Sequence, residues 1–392
     1  MDTRKFKTKT MLADRNNPRV AGKWLVALDV GYSAVKFFAP NAIGSFPSYA
    51  ERVYISHGTV GKLSDEHIRY TDLDTGEVWI VGQVAQDNIS IEDAAIAEGM
   101  LYQKERYNDP MFKVIARTGL GLALRKNQFG APKGSEVVVQ TGLPPKYLDE
   151  QSGSDVSFLS DVISGEHHFS LKIGSAPALE YHFQIPAENV FITAQPKGTL
   201  YSISANKENH LIRDAVSYFS KKLMIFDAGF GTVDLFPLQN HEIGNWQTLR
   251  NLGMKRVLEE TAARIQQKYG QSIAVPSMQK YLDTGMFRMV NKKERTAKDV
   301  PFGEMLEAAS KDVCMMALKQ MEDIYPIMEY DYLVITGGTG AAWKPYVHEF
   351  YKNIDTLKII DGNQNDDLPF VFANVRGYYL MRLSLLNSKE GK

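Results

Sequence analysis

The apolar positions of the chain include two short runs that each end on an aspartate and a glycine turn. The clearer run is residues 223–226, which Asp227, Gly229 and Gly231 follow. A run of this length predicts a buried strand, and the apolar residues after Asp234 predict a second strand that returns beside it. Glycines in the turn can adopt positive φ and carry no Cβ that would block a ligand. The backbone N–H groups of such a turn can bind an anion, although a purely structural turn has the same pattern.

A second copy of this pattern lies near the start of the chain, in residues 24–38. It places Asp29, Gly31 and the hydroxyl of Ser33 between two apolar runs. Two such hairpins predict an internal duplication in which two related halves hold one polyphosphate. The two aspartates suit Mg²⁺, which is usually held by one or two carboxylates and by the phosphates themselves. Lys36 follows Asp29 by seven residues, close enough along the strand to reach a phosphate.

Two other candidate segments lie where a predicted strand meets a predicted helix. Gln195 follows the strand predicted at residues 190–193, and a helix is expected to begin near Pro196. A glutamine cannot act as a general base but can orient a water molecule, and an ordinary surface glutamine is the alternative. Residues 336–340 form a glycine-rich loop without the lysine and hydroxyl of a Walker A motif. Close backbone packing would explain that loop equally well.

Helical spacing of apolar residues predicts further helices at residues 109–126, 252–269 and 305–324. The last of these helices carries methionines that are predicted to face the core rather than a ligand: Met315, Met316 and Met321. The dense charge of residues 291–298 predicts an exposed turn. Residues 158–183 predict a hairpin insertion, whose paired histidines have no third metal ligand at suitable spacing.

Composition limits the classes of protein that fit this chain. Its 392 residues are 44% hydrophobic and 23% charged, as in a globular protein of two or three domains. The net charge of -1 argues against direct binding of nucleic acid over a large face. Cys314 is the single cysteine, which excludes an intramolecular disulfide and a cysteine-based zinc site. Without a membrane-length apolar run or a signal peptide, the chain is predicted to be cytoplasmic, with residues 1–21 as a mobile basic tail.

The three glycine loops together resemble the phosphate 1, phosphate 2 and adenosine motifs of the actin superfamily. Residues 29–36, 227–234 and 336–340 have the order and rough separations of those motifs. Other segments are also similar to actin-like proteins, and the last one resembles the C-terminal segment of ParM-type bacterial actins: VVVQTGLPPKYL, AQPKGTLYS, TLRNLGMKRVLEETAARIQQKYG and FVFANVRGYYLM. ParM relatives often have a glutamate at the position of Gln195, which leaves its catalytic role open.

The resemblance implies an α/β protein with the actin-like fold, in which two ribonuclease H-like α/β domains flank a nucleotide cleft. Domain I would span residues 22–198 with a return at about 366–392, and domain II would span residues 199–365. The implied catalytic residues are Asp29 and Asp227, which would hold Mg²⁺ through water, and Gln195, which would place the attacking water. The implied contacts to ATP or GTP are Gly31, Tyr32, Ser33, Lys36, Gly229, Phe230, Gly231, Thr232, Glu307, Lys311, Gly337, Gly338 and Thr339.

The function implied by the resemblance is that of an ATPase that polymerises into filaments and segregates plasmid DNA. Its partners would be further copies of itself and a DNA-binding adaptor on a plasmid centromere, without direct binding to nucleic acid or membrane. A cell-shape or scaffold actin and a small-molecule kinase of the same superfold are the alternatives. A chaperone ATPase of the seventy-kilodalton heat-shock type would require a substrate-binding domain after the ATPase core.

Overall fold

The structure is a computed structural model, which describes residues 2–54, 61–89, 104–126, 135–149, 154–291 and 293–390. This part of the chain contains both strands and helices. The strands are β1 (Met11–Asp14), β2 (Lys23–Val30), β3 (Ala34–Phe38), β4 (Ala42–Pro47), β5 (Ala50–Arg52), β6 (Ile68–Asp72), β7 (Val78–Val81), β8 (Glu136–Leu143), β9 (Gly165–Ile173), β10 (Leu179–Ile185), β11 (Val190–Ala194), β12 (Leu223–Ala228), β13 (Thr232–Gln239), β14 (Glu242–Ile243), β15 (Gln247–Arg250), β16 (Met286–Asn291), β17 (Thr296–Pro301), β18 (Tyr332–Thr336) and β19 (Lys358–Asp361).

The helices are α1 (Gln83–Asn88), α2 (Pro110–Leu124), α3 (Pro145–Asp149), α4 (Ser154–Ile163), α5 (Gln195–Ser204), α6 (Ala215–Ser220), α7 (Met254–Tyr269), α8 (Val275–Tyr281), α9 (Gly303–Ile324), α10 (Gly338–Tyr351) and α11 (Ala373–Glu390). Within the described ranges, no helix combines the length and the apolar character that crossing a bilayer requires.

The chain divides into two compact units. Unit A comprises Lys9–Ala85, Gln103–Tyr218 and Asp361–Lys392, and unit B comprises Met1–Thr8, Gln86–Tyr102 and Phe219–Ile360. The chain therefore enters the main part of unit B after residue 218, rather than after residue 198 as expected for the domain boundary. The reason is that α5 packs along α11, which keeps α5 in unit A.

The main sheet of unit A is built around β2. Its strand order is β1-β4-β3-β2-β8-β11, with β2 antiparallel to β3 and parallel to β8. The residues of β2 after Lys23 are all buried, because α2 and α11 both pack against this strand. A strand covered on both faces needs a nearly continuous apolar run, which is what the sequence supplies here. The side chains of Leu25, Phe38 and Tyr379 belong to the resulting core.

A second sheet of unit A has the antiparallel order β10-β9-β6-β7-β5. The pair β9 and β10 confirms the hairpin expected between residues 158 and 183, and α4 forms the start of that segment. His167 is buried there, stacks on Phe183, and has a ring nitrogen 2.8 Å from the carbonyl oxygen of Ile163. Burial lowers the pKa of His167 to about 4, so the ring is neutral at physiological pH. Over the described residues, no cluster of three or more His, Cys, Asp and Glu could hold a metal.

Unit B repeats the strand order of unit A. Its sheet runs β14-β13-β12-β18-β19, with β12 antiparallel to β13 and parallel to β18. Helix α10 packs against β12 and β18, and α9 packs against α7 and α10. The repeated order agrees with the internal duplication expected from the two hairpins.

The methionines of α9 differ from the expectation that they all face the core. Met321 is buried and Met315 is half-buried, but the side chain of Met316 is 43% exposed. Met316 lies on the outer side of α9, because the helix has only one face against α7 and α10. Cys314 lies on that inner face and is buried, and burial raises the pKa of its thiol to about 12.

The N-terminal segment, expected to be a mobile basic tail, is instead packed, which corrects that prediction. Residues Thr3–Phe6 form a 3-10 turn with Thr3 and Phe6 buried, and the hydroxyl of Thr3 donates to the carbonyl oxygen of Leu282 at 2.6 Å. Lys7 is ion-paired with Asp87 and Asp283, and only 3% of its side chain is exposed. Further along, β1 pairs with β4. Partners this distant in the sequence leave no local signal, so the basic residues alone suggested a solvated tail.

Candidate functional site

The turn between β2 and β3 begins two residues after Asp29, the penultimate residue of β2. Its three residues are Gly31, Tyr32 and Ser33, and it is closed by a hydrogen bond of 3.0 Å from the Gly31 N–H to the carbonyl oxygen of Ala34. A Cβ at position 31 would lie 2.8 Å from the Nζ atom of Lys36 and 2.9 Å from the oxygen of Ala34. Glycine is therefore required at this position because of close packing.

Two residues that the sequence did not suggest hold this turn in place. The hydroxyl of Ser48 donates to the carbonyl oxygen of Gly31 at 2.8 Å, and its N–H donates to the oxygen of Ser33 at 2.9 Å. The buried Arg106 donates from Nη2 to the oxygen of Val30 at 2.9 Å, with its guanidinium 4.2 Å from the ring centre of Tyr32. Neither residue belongs to a recognisable motif, so only the structure could identify them.

Asp29, Lys36 and Gln195 lie together in unit A, as the sequence predicted. Asp29 is opposite Lys36 in the ladder of β2 and β3, and the Lys36 Nζ atom is 2.9 Å from Oδ2 of Asp29. Gln195 begins α5 immediately after β11, which confirms its predicted place at a strand-to-helix junction. Its Nε2 atom donates to Oδ1 of Asp29 at 3.4 Å. The turn is thus bordered by a buried carboxylate, an ammonium group and a side-chain amide.

The turn between β12 and β13 in unit B has the same construction. It also contains three residues, Gly229 to Gly231, and the Gly229 N–H donates to the carbonyl oxygen of Thr232 at 2.9 Å. The first residues of α7 extend this arrangement, since the Met254 and Lys255 N–H groups donate to the oxygens of Gly229 and Phe230 at 3.3 and 2.8 Å. The helix N-terminus therefore caps the turn.

The glycines of the two turns do not use the positive φ that the sequence reading allowed for them. Within the described part of the chain, the φ angles of Gly31, Gly229 and Gly231 are not positive. Gly253 and Gly337, by contrast, adopt φ of 144° and 83°. Gly253 immediately precedes α7, where a Cβ would lie 2.7 Å from the oxygen of Gly229. Glycine thus serves close packing at position 31, and it allows unusual backbone geometry in the segments that pack against the second turn.

In unit B the residue opposite Asp227 is Asp234, whereas in unit A the residue opposite Asp29 is Lys36. The two aspartates are opposite each other in the ladder of β12 and β13, and both are buried. The hydroxyl of Thr248 donates to Asp234 Oδ1 at 2.6 Å. Burial, followed by the charge of Asp227, raises the pKa of Asp234 to about 8. Asp234 was not predicted as a site residue, although its spacing from Asp227 equals that of Lys36 from Asp29.

The third glycine loop packs onto the second turn. Gly337 precedes α10, and a Cβ there would overlap the carbonyl oxygen of Ala228 and lie 2.7 Å from Oδ1 of Asp227. The hydroxyl of Thr339 donates to the carbonyl oxygen of Gly229 at 2.6 Å. The N-terminus of α10, which begins at Gly338, therefore lies beside Asp227, and helix N-termini favour anionic groups.

Glu307 and Lys311 are not part of this group of contacts. The carboxylate of Glu307 is ion-paired with Lys5 at 3.0 Å and accepts a hydrogen bond from the hydroxyl of Tyr346. Lys311 is exposed one turn further along α9. Neither Lys5 nor Tyr346 belongs to the three glycine loops, so a ribose or base contact for Glu307 and Lys311 stays a prediction.

The oxygen atoms around Asp227 suit a magnesium ion. The group offers the carboxylates of Asp227 and Asp234 and the hydroxyl of Thr248, which are the hard ligands that Mg²⁺ prefers. Because the charge of Asp227 opposes ionisation of Asp234, a cation beside the pair would favour the ionised form of both. The residues present therefore fit the ion that the sequence suggested.

Comparison with known protein families identifies the first part of the chain. Residues 27–198 match the family model of the N-terminal domain of actin-like proteins. This segment contains Asp29, Lys36 and Gln195, the group that the structure assembles in unit A. No curated protein matches the chain at a significant level.

Solved structures of actin-like proteins are similar over nearly the whole chain. A 15-stranded ParM filament from Clostridium botulinum has a TM-score of 0.68 at 18% identity and covers 93% of this chain and 99% of its own. The non-polymerisable quadruple mutant of pCBH ParM has a TM-score of 0.69 at 18% identity with the same coverage. An archaeal actin homologue in complex with ADP has a TM-score of 0.58 at 15% identity, with 94% and 99% covered. The chain thus has the actin-like fold.

Proposed function

We propose, from the premise that this chain is an actin-like protein, that it is an ATPase that assembles into filaments when it binds a nucleoside triphosphate. The observation that carries the proposal is the repeated turn: each unit places a buried aspartate next to a three-residue glycine turn at the end of the central strand. Each turn presents backbone N–H groups that can bind a phosphate. The solved ADP complex of a protein with this fold supports a nucleotide as the ligand.

Each group of the site has a separate role in this proposal. Lys36 binds phosphate oxygens, and the turns that begin at Gly31 and Gly229 bind the phosphates through their N–H groups. Gln195 orients the attacking water, for which its side-chain amide is suited. Asp227 and Asp29 would hold Mg²⁺, which would supply positive charge to neutralise the phosphates. Glu307 and Lys311 are assigned to the ribose or base.

Self-assembly is the second part of the proposal. A similar structure was solved as a 15-stranded filament, and another as a mutant made non-polymerisable. Nucleotide state and assembly state are then coupled by linkage, because a filament that completes the site favours the bound triphosphate. We assign plasmid segregation through a DNA-binding adaptor as the cellular role. The net charge of -1 supports an indirect connection to DNA, and we assign the protein to the cytoplasm.

The test is a pelleting and light-scattering assay of the purified protein with Mg-ATP, Mg-GTP, Mg-ADP or no nucleotide. Phosphate release is followed in parallel. We expect scattering above a critical concentration only with a triphosphate, and phosphate release that lags behind it. Turnover that rises linearly with protein concentration, without polymer, would contradict assembly and favour a soluble kinase of the same superfold.

A further inference from the structure

Unit B carries an exposed hairpin whose buried apolar side chains lie at its base. The strands β16 and β17 pair with each other in a separate two-stranded sheet. At the base, Phe287 and Val300 are buried, and the ring of Phe287 contacts those of Tyr269 and Phe302. Beyond the base, most residues of β17 are exposed, and the side chain of Val290 is 52% exposed. An isolated hairpin is at best marginally stable in water, so this one depends on local contacts.

Local contacts fix the shape of the hairpin. Arg288 and Asp299 face each other across the strands with two N–O distances of 2.9 and 3.0 Å. The side chain of Gln271 covers the outer edge of β16, accepting from the Val290 N–H at 3.2 Å and donating to the Arg288 oxygen at 3.4 Å. The charged residues and Pro301 on β17 disfavour the addition of another strand. The hairpin is therefore a shaped, exposed projection rather than an open sheet edge.

The C-terminal half of α9 carries an exposed apolar stripe. Met316 and Ile324 lie two helical turns apart on one side of α9 and are 43% and 45% exposed, and Met328 just beyond the helix is 68% exposed. Methionine side chains adapt readily to a partner surface. We call Met316, Gln320, Ile324 and Met328 the α9 patch. Exposed apolar residues that cluster in this way mark an interaction surface more often than single ones do.

The charges of the two surfaces are opposite. Residues 286–301 contain five basic and two acidic residues, whereas residues 319–331 contain four acidic and one basic residue. Two of the four acidic residues are already paired within unit B, because Glu329 pairs with Lys222 at 2.8 Å and Asp331 pairs with Lys221 at 3.8 Å. Asp323 is exposed beside Ile324. The pKa of the neighbouring Glu322 is raised, first by its own burial and then by the charge of Asp323. Opposite charges around apolar contacts favour one orientation of binding.

The position of the two surfaces determines what kind of assembly they can form. The hairpin ends at Pro301, directly before α9 begins at Gly303. The patch lies on the C-terminal half of that helix and just beyond it. A helix of 22 residues is about 33 Å long, which separates the base of the hairpin from Ile324 at the C-terminal end of α9. A contact between two different surfaces is head-to-tail, and it can continue as an open filament instead of closing as a two-fold dimer.

We propose that the β16–β17 hairpin of one copy binds the α9 patch of the next copy and so forms the longitudinal contact of the filament. Val290 packs against Ile324 and Met328, and the basic residues Lys293 and Lys298 face Asp323. This inference rests on the proposed self-assembly and specifies its partner surfaces and its polarity.

The test uses two charge-reversed variants of the full chain. Variant one carries Lys293→Glu and Lys298→Glu, and variant two carries Gln320→Lys and Asp323→Lys. All four residues are exposed, so folding is expected to be unaffected, which circular dichroism and binding of a fluorescent nucleotide would check. Like charges then face each other, and each variant alone should have a critical concentration raised by more than about tenfold. A matched control with Lys126→Glu and Lys172→Glu, two exposed lysines of unit A, should assemble like the wild type.

The mixture of the two variants gives the decisive result. In an equimolar mixture, every junction can pair an acidic surface with a basic one, so alternating copolymers should form near the wild-type critical concentration. Normal assembly of either variant alone overturns the inference, and so does a mixture that stays unassembled although both variants fold and bind nucleotide. If the wild type forms no polymer with any nucleotide, the proposed function fails and the inference fails with it.

Discussion

At the scale of single residues, the two related hairpins differ most in what faces their aspartates. Asp29 is opposite Lys36, which supplies a positive charge at 2.9 Å, whereas Asp227 is opposite a second carboxyl group, that of Asp234. The first carboxylate is neutralised by the protein itself. In the second pair, burial and the charge of Asp227 raise the pKa of Asp234, which is why we assign the cation mainly to unit B.

We predict that Asp234 makes the stability of the nucleotide-free protein depend on pH. Its pKa is about 8 in the folded protein and has the ordinary value of 3.8 when exposed. Between those values the folded protein holds a proton that the unfolded chain has lost. The contribution to stability is therefore complete below about pH 4 and is lost as the pH rises toward 8.

The measurement is urea denaturation at several pH values from about 5 to about 8. The free energy of unfolding of the wild type should fall as the pH rises, and Asp234→Asn should show a smaller fall. Asp355→Asn, at an exposed position of unit B, is the control and should follow the wild type. Parallel pH profiles for Asp234→Asn and the wild type would refute the assignment.

Gln195 gives the second prediction at this scale. If it orients the attacking water, Gln195→Ala should slow nucleotide hydrolysis by about a hundredfold, because a water held out of line reacts poorly. Nucleotide affinity should change little, since Lys36 and the glycine turns provide the binding contacts, and filaments should last longer. Single-turnover phosphate release and a nucleotide titration separate the two effects. Lys197→Ala, two residues along α5, is the matched control, and filaments of Gln195→Ala that disassemble at the normal rate would exclude the role.

At the scale of elements, the position of Gln195 depends on how α5 crosses α11. Gly198 and Gly377 meet at that crossing, where a Cβ at position 377 would overlap the carbonyl oxygen of Gly198. The backbones can approach so closely only because neither residue has a side chain. The buried Arg376 strengthens the crossing by donating to the carbonyl oxygens of Ser202 and Ala205 at 2.7 and 3.1 Å.

We therefore predict that Gly377→Ala lowers the free energy of unfolding by about 1–3 kcal/mol, as overpacking of a core typically does. Since α5 would have to shift, nucleotide hydrolysis should also decrease in the variant that remains folded. The measurements are urea denaturation and turnover at a temperature where the variant is folded. Asn387→Ala, at an exposed position of the same helix, should change stability by less than about 0.5 kcal/mol. Equal stability of the two variants would contradict the packing argument.

The elements that the sequence predicted well are those whose pattern is local. The helix at residues 252–269 is found as α7, and the strand expected at residues 190–193 is β11, because both are specified by the spacing of their own apolar residues. The packing of Thr3 against Leu282 and the support of Gly31 by Ser48 were not predictable in this way. Those contacts join residues distant in the sequence, and no local periodicity records them.

At the scale of the whole molecule, the protein consists of two units with separate cores, and we expect each unit to have its own unfolding transition. Nucleotide binding should nevertheless stabilise it, because only the folded chain presents both the glycine turns and the carboxylates. A ligand at a hundred times its dissociation constant adds about 2.7 kcal/mol to the free energy of unfolding. We expect Mg-ATP to raise the melting temperature measured by scanning calorimetry.

The variant Asp227→Ala tests how much of this stabilisation depends on Mg²⁺. The variant should fold, lose turnover, and lose the part of the thermal shift that depends on Mg²⁺, because its remaining carboxyl Asp234 would hold the ion poorly alone. Circular dichroism checks the fold, and a comparison of ATP with and without Mg²⁺ isolates the contribution of the ion. Turnover equal to that of the wild type would remove Asp227 from the site.

The architecture was predictable because the same pattern of strands, aspartate and glycine turn occurs twice in the chain. The order of β3, β2 and β8 in unit A recurs as β13, β12 and β18 in unit B, and both copies of the aspartate and glycine pattern were visible in the sequence. The asymmetry between Lys36 and Asp234 was visible as well, but its meaning depends on burial. The exposed position of Met316 could not be read from the sequence, since a methionine at helical spacing usually faces a core.

The burial of Cys314 makes the protein convenient for site-specific labelling. A thiol that is buried and has its pKa raised to about 12 contains almost no thiolate at neutral pH, and the thiolate is the species that reacts with maleimides. Because Cys314 is the single cysteine, a second cysteine placed at exposed Thr296 would be the reactive one in the native protein. A fluorophore attached there would report directly on whether the hairpin becomes covered when nucleotide is added.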